Sequence, residues 1–165
     1  MSIIDLIMQI LRGTEPTTPE PEIIEEKEPE IMELPLNLMD VLTSSGAYPD
    51  REQSEECNEL VRFNAEELIK RVNPLLAELG ISDISVNSGF RTAASNSKTK
   101  GGAKKSSHMA GQAVDLHDPD NALEDLVTAE ILTKFDLYKE AGTATPGWVH
   151  LTTRAPGSKR RIFNP

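Results

Sequence analysis

The chain has 165 residues, of which 27% are charged and 38% hydrophobic, an ordinary composition for a globular protein with one modest core. Its net charge is -10 and no clustered basic face is visible, so the composition argues against a nucleic-acid partner, whose phosphates require one. The one cysteine, Cys57, excludes an internal disulfide and has no Cys-x-x-Cys partner for a metal.

The first twelve residues predict an amphipathic helix, with Ile3, Ile7 and Ile10 on one face and Asp5 on the other. This segment lacks the positively charged start of a secretory signal peptide and is too short to span a bilayer. We expect residues 1–12 to anchor the protein to a membrane surface or a virion protein. The alternative is a terminus that packs on its own domain.

Residues 13–35 predict a disordered acidic linker. They contain five prolines, and their eight glutamates against one lysine carry seven of the ten net negative charges. Proline removes helix donors, like charges repel one another, and the segment buries little apolar surface. The sequence therefore predicts an extended spacer that precedes a nearly neutral domain at residues 36–165.

The pattern of this domain predicts an α+β fold with a central antiparallel sheet of about four strands, flanked by helices. Residues 37–52 suggest a short helix and a turn, and helical periodicity marks residues 54–80 and 121–135. Asn73-Pro74 should kink or divide the long helix before Gly80 ends it. Short alternating runs predict strands within residues 84–91, 112–116, 136–142 and 147–154.

Three polar residues of this domain suggest a metal site. His108 precedes a small-residue turn, Asp115 lies on the second predicted strand, and His150 lies on the last. Antiparallel pairing of those two strands would bring facing side chains to within about 5 Å at Cβ. Two imidazoles and one carboxylate match the ligand set of a catalytic zinc site that keeps a fourth position open. Spacing alone also permits structural histidines held by hydrogen bonds.

Three motifs strengthen the metal reading: S-G-F-R ending at Arg91, S-x-H-x-x-G-x-A-x-D over residues 106–115, and W-x-H ending at His150. In this order they resemble the zinc D-Ala-D-Ala carboxypeptidases, the VanX/VanY-like peptidases and the L-alanyl-D-glutamate endopeptidases. The resemblance covers about residues 58–165 and is closest to the small phage-borne members. It implies a cleft faced by Arg91 and a zinc ion (Zn²⁺) bound by His108, Asp115 and His150.

Other residues of the motifs have expected roles at the cleft. Arg91, a planar and permanently charged donor, should hold an oxyanion or a substrate carboxylate, unless it bonds only to turn carbonyls. Ser106 should orient its loop or donate to substrate, and Trp148 should wall the cleft or simply pack. Lysines between residues 98 and 105 either attract acidic stem peptides or belong to a solvated loop.

The general base departs from the resembled pattern. Those enzymes commonly carry Glu or Asp three residues before the last histidine, where this chain has Gly147. Glu140, at the end of the third predicted strand, is the favoured substitute, and His117 and Asp118 are the alternatives. His117 also fits a supporting partner of the metal strand or a solvent-facing residue.

The sequence thus predicts a zinc metallopeptidase, of D,D-carboxypeptidase or endopeptidase type, that hydrolyses bacterial peptidoglycan stem peptides. A phage lysin of this kind would reside in the virion or in the host cytoplasm before lysis and act at the periplasmic cell wall. The alternative, motivated by Gly147, is a non-catalytic virion structural or cell-wall-binding protein that retains the zinc peptidase fold.

Overall fold

The structure, a computed structural model, describes residues 34–165. The predicted anchoring helix at residues 1–12, and the predicted linker except for its last two residues, lie outside this part of the chain. Within it, no helix combines the length and the apolar character that crossing a membrane requires. Regular packing begins at Leu36, whose side chain is buried.

The helices of residues 34–165 are short, with one exception. Five are α-helical: α1 Leu38–Thr43, α2 Glu59–Glu78, α3 Ala93–Lys98, α4 Ala122–Leu126 and α5 Ala129–Lys134. Two further single turns, Pro49–Gln53 and Ser107–Ala110, are 3₁₀ helices. The second of these carries His108.

Helix α2 is the main support of the core. It starts at Asn58, whose Oδ1 accepts a hydrogen bond from the Val61 amide at 3.1 Å, and it buries an apolar stripe. The helix continues through Pro74 to Glu78, so the predicted division there is wrong. Because the residues around Pro74 are buried, tertiary packing outweighs the single backbone bond that proline removes.

Asn73 ties the start of the domain to α2. Its Oδ1 accepts from the Leu36 amide at 3.0 Å, and its Nδ2 donates to the Leu36 carbonyl at 2.8 Å. Both residues are buried, so this pair of bonds satisfies backbone groups that water cannot reach.

The predicted sheet is present in the described part and has one strand more than expected. Its order is β1-β2-β4-β3-β5, and the four predicted strands correspond to β1 to β4. Their bounds are β1 Val86–Ser88, β2 Ala113–His117, β3 Tyr138–Glu140, β4 Trp148–Thr152 and β5 Ile162–Phe163. The α+β prediction is confirmed, but β5 pairs with β3 in parallel, so the sheet is mixed.

The predicted helix over 121–135 is wrong as a single element. It divides after Leu126, and Thr128 starts α5 by accepting the Ile131 amide with its Oγ1 at 3.4 Å. The threonine hydroxyl therefore accepts from an amide that, in a continuous helix, would have donated to a backbone carbonyl. Helix α3 lies in a segment predicted as a polar loop.

The candidate site lies at the buried centre of the sheet. Strand β2 is buried at every position except His117, and β4 is buried from Val149 onward. Each fully buried Val or Leu contributes about 1.5–3 kcal/mol, and β2, β4 and α2 contribute such residues to one hydrophobic core. Polar side chains on these strands are stable only if they find partners within the protein.

Candidate metal centre

Asp115 and His150 meet across the two central strands. The register of β2 and β4 pairs the two residues directly, and Asp115 Oδ1 lies 2.7 Å from His150 Nδ1. His108 joins them from its 3₁₀ helix, with Nε2 at 3.3 Å from the same carboxylate oxygen. His108, Asp115 and His150 are only 3%, 6% and 7% exposed, respectively. The structure therefore brings together the three predicted ligands.

A backbone carbonyl sets the tautomer of His108. Its Nδ1 lies 2.8 Å from the carbonyl oxygen of Gly89, which can only accept, so Nδ1 carries the hydrogen. Nε2 then presents its lone pair towards Asp115. A Cβ at Gly89 would lie 1.8 Å from the Val41 carbonyl oxygen, so only glycine permits this approach. The S-G-F-R motif contained this glycine, but sequence reasoning assigned it no role.

Arg91 forms an ion pair with the other carboxylate oxygen of Asp115. Its Nη2 donates to Asp115 Oδ2 at 2.8 Å and its Nε donates to Ser88 Oγ at 2.7 Å. The backbone amide of Arg91 also donates to the His108 carbonyl at 3.3 Å. Arg91 thus orients two members of the cluster and compensates the charge of the carboxylate. Its predicted contact with substrate stays a prediction.

The electrostatics favour the protonation state that a metal requires. Burial raises the pKa of Asp115. His108 and His150, which carry charge and donate hydrogen bonds to the carboxylate when they are protonated, outweigh burial and hold that pKa well below its usual range. Burial lowers the pKa of His108, although Asp115 opposes this. At neutral pH the cluster therefore contains an ionised carboxylate and a neutral His108 imidazole, the forms that coordinate metals.

The donor set fits a divalent metal ion. One donor atom from each residue lies within 4.8 Å of the others, the only such group of three among the described residues. Ligands of a tetrahedral site at about 2.0–2.1 Å from the ion are about 3.3 Å apart, close to the His108–Asp115 separation. The His150–Asp115 contact is shorter, at 2.7 Å, and is a hydrogen bond. Nitrogen and carboxylate donors in this ratio are typical of catalytic zinc sites.

The candidate bases lie at different distances from this cluster. Glu140, at the end of β3, places Oε1 3.9 Å from His150 Nε2, and its side chain is 23% exposed. His117 is exposed and does not belong to the three-residue group. Asp118 is buried, and its two carboxylate oxygens accept hydrogen bonds from the backbone amides of Leu123 and Glu124 in the first turn of α4.

The remaining predicted residues flank the cluster. Ser106 Oγ accepts the His108 amide at 3.3 Å, which is the loop-orienting contact that the sequence suggested. Trp148 is half-buried and opposes His117 across the β2–β4 pair. Their contacts with substrate stay predictions.

Gly147 has a backbone conformation that favours glycine. Its φ is +87°, in the left-handed region that residues with a Cβ rarely adopt. Its carbonyl accepts the Asp118 amide at 3.0 Å, which fixes this conformation just before β4. Glu or Asp at this position would strain the turn that delivers His150.

This α+β domain thus brings two histidines and one carboxylate together beside its central strands, which gives it the donor set of a metal centre. Comparison with known families agrees, since the family model described as Peptidase M15 matches residues 41–152. The match covers more than half of the chain and includes all three donor residues, so the chain belongs to the peptidase M15 family. This is a family of metallopeptidases, typically zinc-dependent and acting on peptidoglycan-type substrates. Searches of curated proteins and of solved structures found no match.

Proposed function

We propose that this protein is a zinc-dependent peptidase that hydrolyses a peptide bond in peptidoglycan stem peptides, with His108, Asp115 and His150 as the zinc ligands. The observation that carries the proposal is the convergence of these buried donors, with Nε2 of His108 turned towards Asp115. Zinc bound there supplies a Lewis acid and lowers the pKa of a water molecule to about 7.

Two side chains are assigned to the reacting groups. Nη1 of Arg91 has no hydrogen-bond partner among residues 34–165, and the side chain is 13% exposed. We assign this nitrogen to the substrate carbonyl oxygen, where negative charge develops during attack. Glu140 is assigned as the base that takes a proton from water and passes it to the leaving amine, because its carboxylate is partly exposed and adjoins His150.

The biological setting belongs to the same proposal. The phage-lysin assignment, residence in the virion or the host cytoplasm before lysis, and action at the periplasmic wall rest on the sequence resemblance. Attachment of residues 1–12 to a membrane surface or a virion protein rests on the amphipathic pattern of that segment. Analysis of the reaction products decides whether the activity is of D,D-carboxypeptidase or endopeptidase type.

One observation favours a second function. Gly147 has a backbone conformation that disfavours the acidic residue found there in the resembled enzymes. A chain without that base fits a cell-wall-binding or virion structural protein that retains the metal. The two functions differ in turnover and not in metal content.

Incubation of the full-length, zinc-loaded protein with purified sacculi separates them. The peptidase proposal predicts new amino termini in the soluble fraction, loss of this release with a chelator, and its loss in His150→Ala. Mass spectrometry of the products identifies the bond. Sedimentation of the protein with sacculi without any released peptide would contradict the peptidase proposal and support the binding protein.

A further inference from the structure

A second feature of the site is a cavity of about 620 Å³ next to Arg91. Its lining includes the cationic side chains of Arg51, Arg91 and Lys98, together with the hydroxyl groups of Ser88 and Ser95. None of its lining residues, all within the described part, is acidic. The cavity is therefore a concentration of positive charge and hydrogen-bond donors, the environment that an anion requires.

Arg51 is fixed at this cavity by uncharged partners alone. Its Nη1 donates to the Phe90 carbonyl at 3.0 Å and to Ser44 Oγ at 3.2 Å, and its Nη2 donates to Ser95 Oγ at 2.7 Å. The ring of Tyr48 lies 3.7 Å from the guanidinium carbon. Sequence reasoning missed Arg51, because nothing in its local sequence indicates a site.

Arg51 differs from the other half-buried arginines of residues 34–165, each of which pairs with a carboxylate. Arg154 and Arg160 also have no such partner, but they are exposed. Arg62 pairs with Glu52, and Arg91 pairs with Asp115. Among residues 34–165, Arg51 has no carboxylate within ion-pair distance. A rigid guanidinium with an uncompensated charge, facing a cavity and retaining unused N–H groups, is preorganised to bind a carboxylate.

Arg91 connects the cavity to the metal centre. It contacts Asp115 through Nη2 and also lines the cavity. None of the three donor residues lines the cavity, so Arg91 is the shared element, and a ligand that reaches from the cluster into the cavity would pass it. Lys98 is exposed at the rim and adds charge of the same sign.

We propose that this cavity is a subsite for a carboxylate of the peptide substrate and that Arg51 determines the preference for it. The inference rests on the proposed peptidase function and deepens it. It requires that amidation of that carboxylate weakens binding and that the effect depends on Arg51.

Calorimetric binding to the full-length chain, with chelator present to prevent turnover, tests the proposal. The probes are D-alanyl-D-alanine with its terminal carboxylate free or amidated, and L-alanyl-D-glutamate with its α-carboxylate free or amidated. In one pair at least, the free acid should bind about tenfold or more tightly than the amide. Arg51→Met should abolish this difference and Arg51→Lys should retain part of it.

Matched variants separate recognition from folding. Arg71→Met removes a surface arginine that pairs with Asp136 and does not line the cavity, so it should leave the acid preference intact. Lys98→Gln should weaken the acid about two- to fivefold and leave the amide unchanged. If Arg51→Met does not fold, Lys98→Gln and Arg51→Lys decide the question.

Two results would overturn the inference. One is equal affinity for acid and amide in both probe pairs. The other is an equal loss for acid and amide in the folded Arg51 and Lys98 variants. If sacculi are digested while acid and amide bind alike, only the subsite is refuted. If acid preference is present while sacculi yield no product, only the peptidase proposal fails.

Discussion

His108 depends on a backbone atom nineteen positions away. Gly89→Ala would place a Cβ against the Val41 carbonyl and displace the oxygen that accepts from His108 Nδ1. Loss of such a supporting bond lowers metal affinity by about 10- to 100-fold, and we expect this loss in a zinc competition titration. Gly157→Ala is the matched control, because nothing lies within 4 Å of a Cβ built there. Equal zinc affinities in the two variants would contradict the supporting role of Gly89.

The role of Glu140 can be separated from that of His117 by two substitutions. If Glu140 is the base, Glu140→Gln should lower kcat by about 10²- to 10⁴-fold with zinc affinity unchanged. If Glu140 only supports His150, zinc affinity should fall instead. His117→Gln, on an exposed side chain outside the cluster, should change neither. A larger kcat loss in His117→Gln than in Glu140→Gln would transfer the assignment to His117.

Acid should destabilise the metal-free protein through this cluster. The folded pKa of His108 is lowered by burial, so its contribution to the free energy of unfolding is present above about pH 6.5 and lost as pH falls towards the folded value. Asp115 has a depressed pKa for the reasons given above, so its contribution persists to about pH 3.9 and is lost below it. Both changes have the same sign.

Urea unfolding of the metal-free protein between pH 8 and 5 measures the first of these changes. The wild type should lose stability over this range relative to His108→Gln, which has no ionisable group at that position. Parallel pH profiles for the two proteins would contradict the assignment of His108 as a buried neutral imidazole.

At the scale of elements, alternation and turn residues predicted β1 to β4 because most positions of each short run are buried or half-buried. Strand β5 has two residues and is stabilised by its partner β3, so it has no local pattern to detect. The helix ends depended on side-chain caps: Thr128 divides one predicted helix, while burial carries α2 through Pro74. Local sequence does not contain the tertiary contacts that decided these cases.

The connection between Leu36 and α2 gives an element-scale prediction. Asn73→Ala leaves the buried amide and carbonyl of Leu36 without partners, which should lower the free energy of unfolding by about 2–4 kcal/mol. Urea denaturation measures this directly. Asn164→Ala, at an exposed position, is the control and should change stability by less than about 0.5 kcal/mol. Equal stability of the two variants would show that Asn73 does not fix the start of the domain.

At the scale of the whole molecule, the ordered motifs predicted the family and the residues that converge, because strand pairing brings Asp115 and His150 together. The sequence did not predict the carbonyl that sets the His108 tautomer, the pairing of Arg91 with Asp115, or the charge at Arg51. Each depends on segments distant in sequence that approach only in the folded chain. The left-handed backbone at Gly147 likewise became visible only in the fold, since the sequence showed only that the acid is missing.

The central claim is that one zinc ion is held by two imidazoles and one carboxylate. X-ray absorption spectroscopy of the full-length protein with one equivalent of zinc tests it most directly. The account predicts nitrogen and oxygen ligands at about 2.0–2.1 Å, with multiple-scattering features of two histidine rings that fall to one in His150→Ala. A wild-type spectrum without imidazole scattering, or one that His150→Ala leaves unchanged, would contradict it.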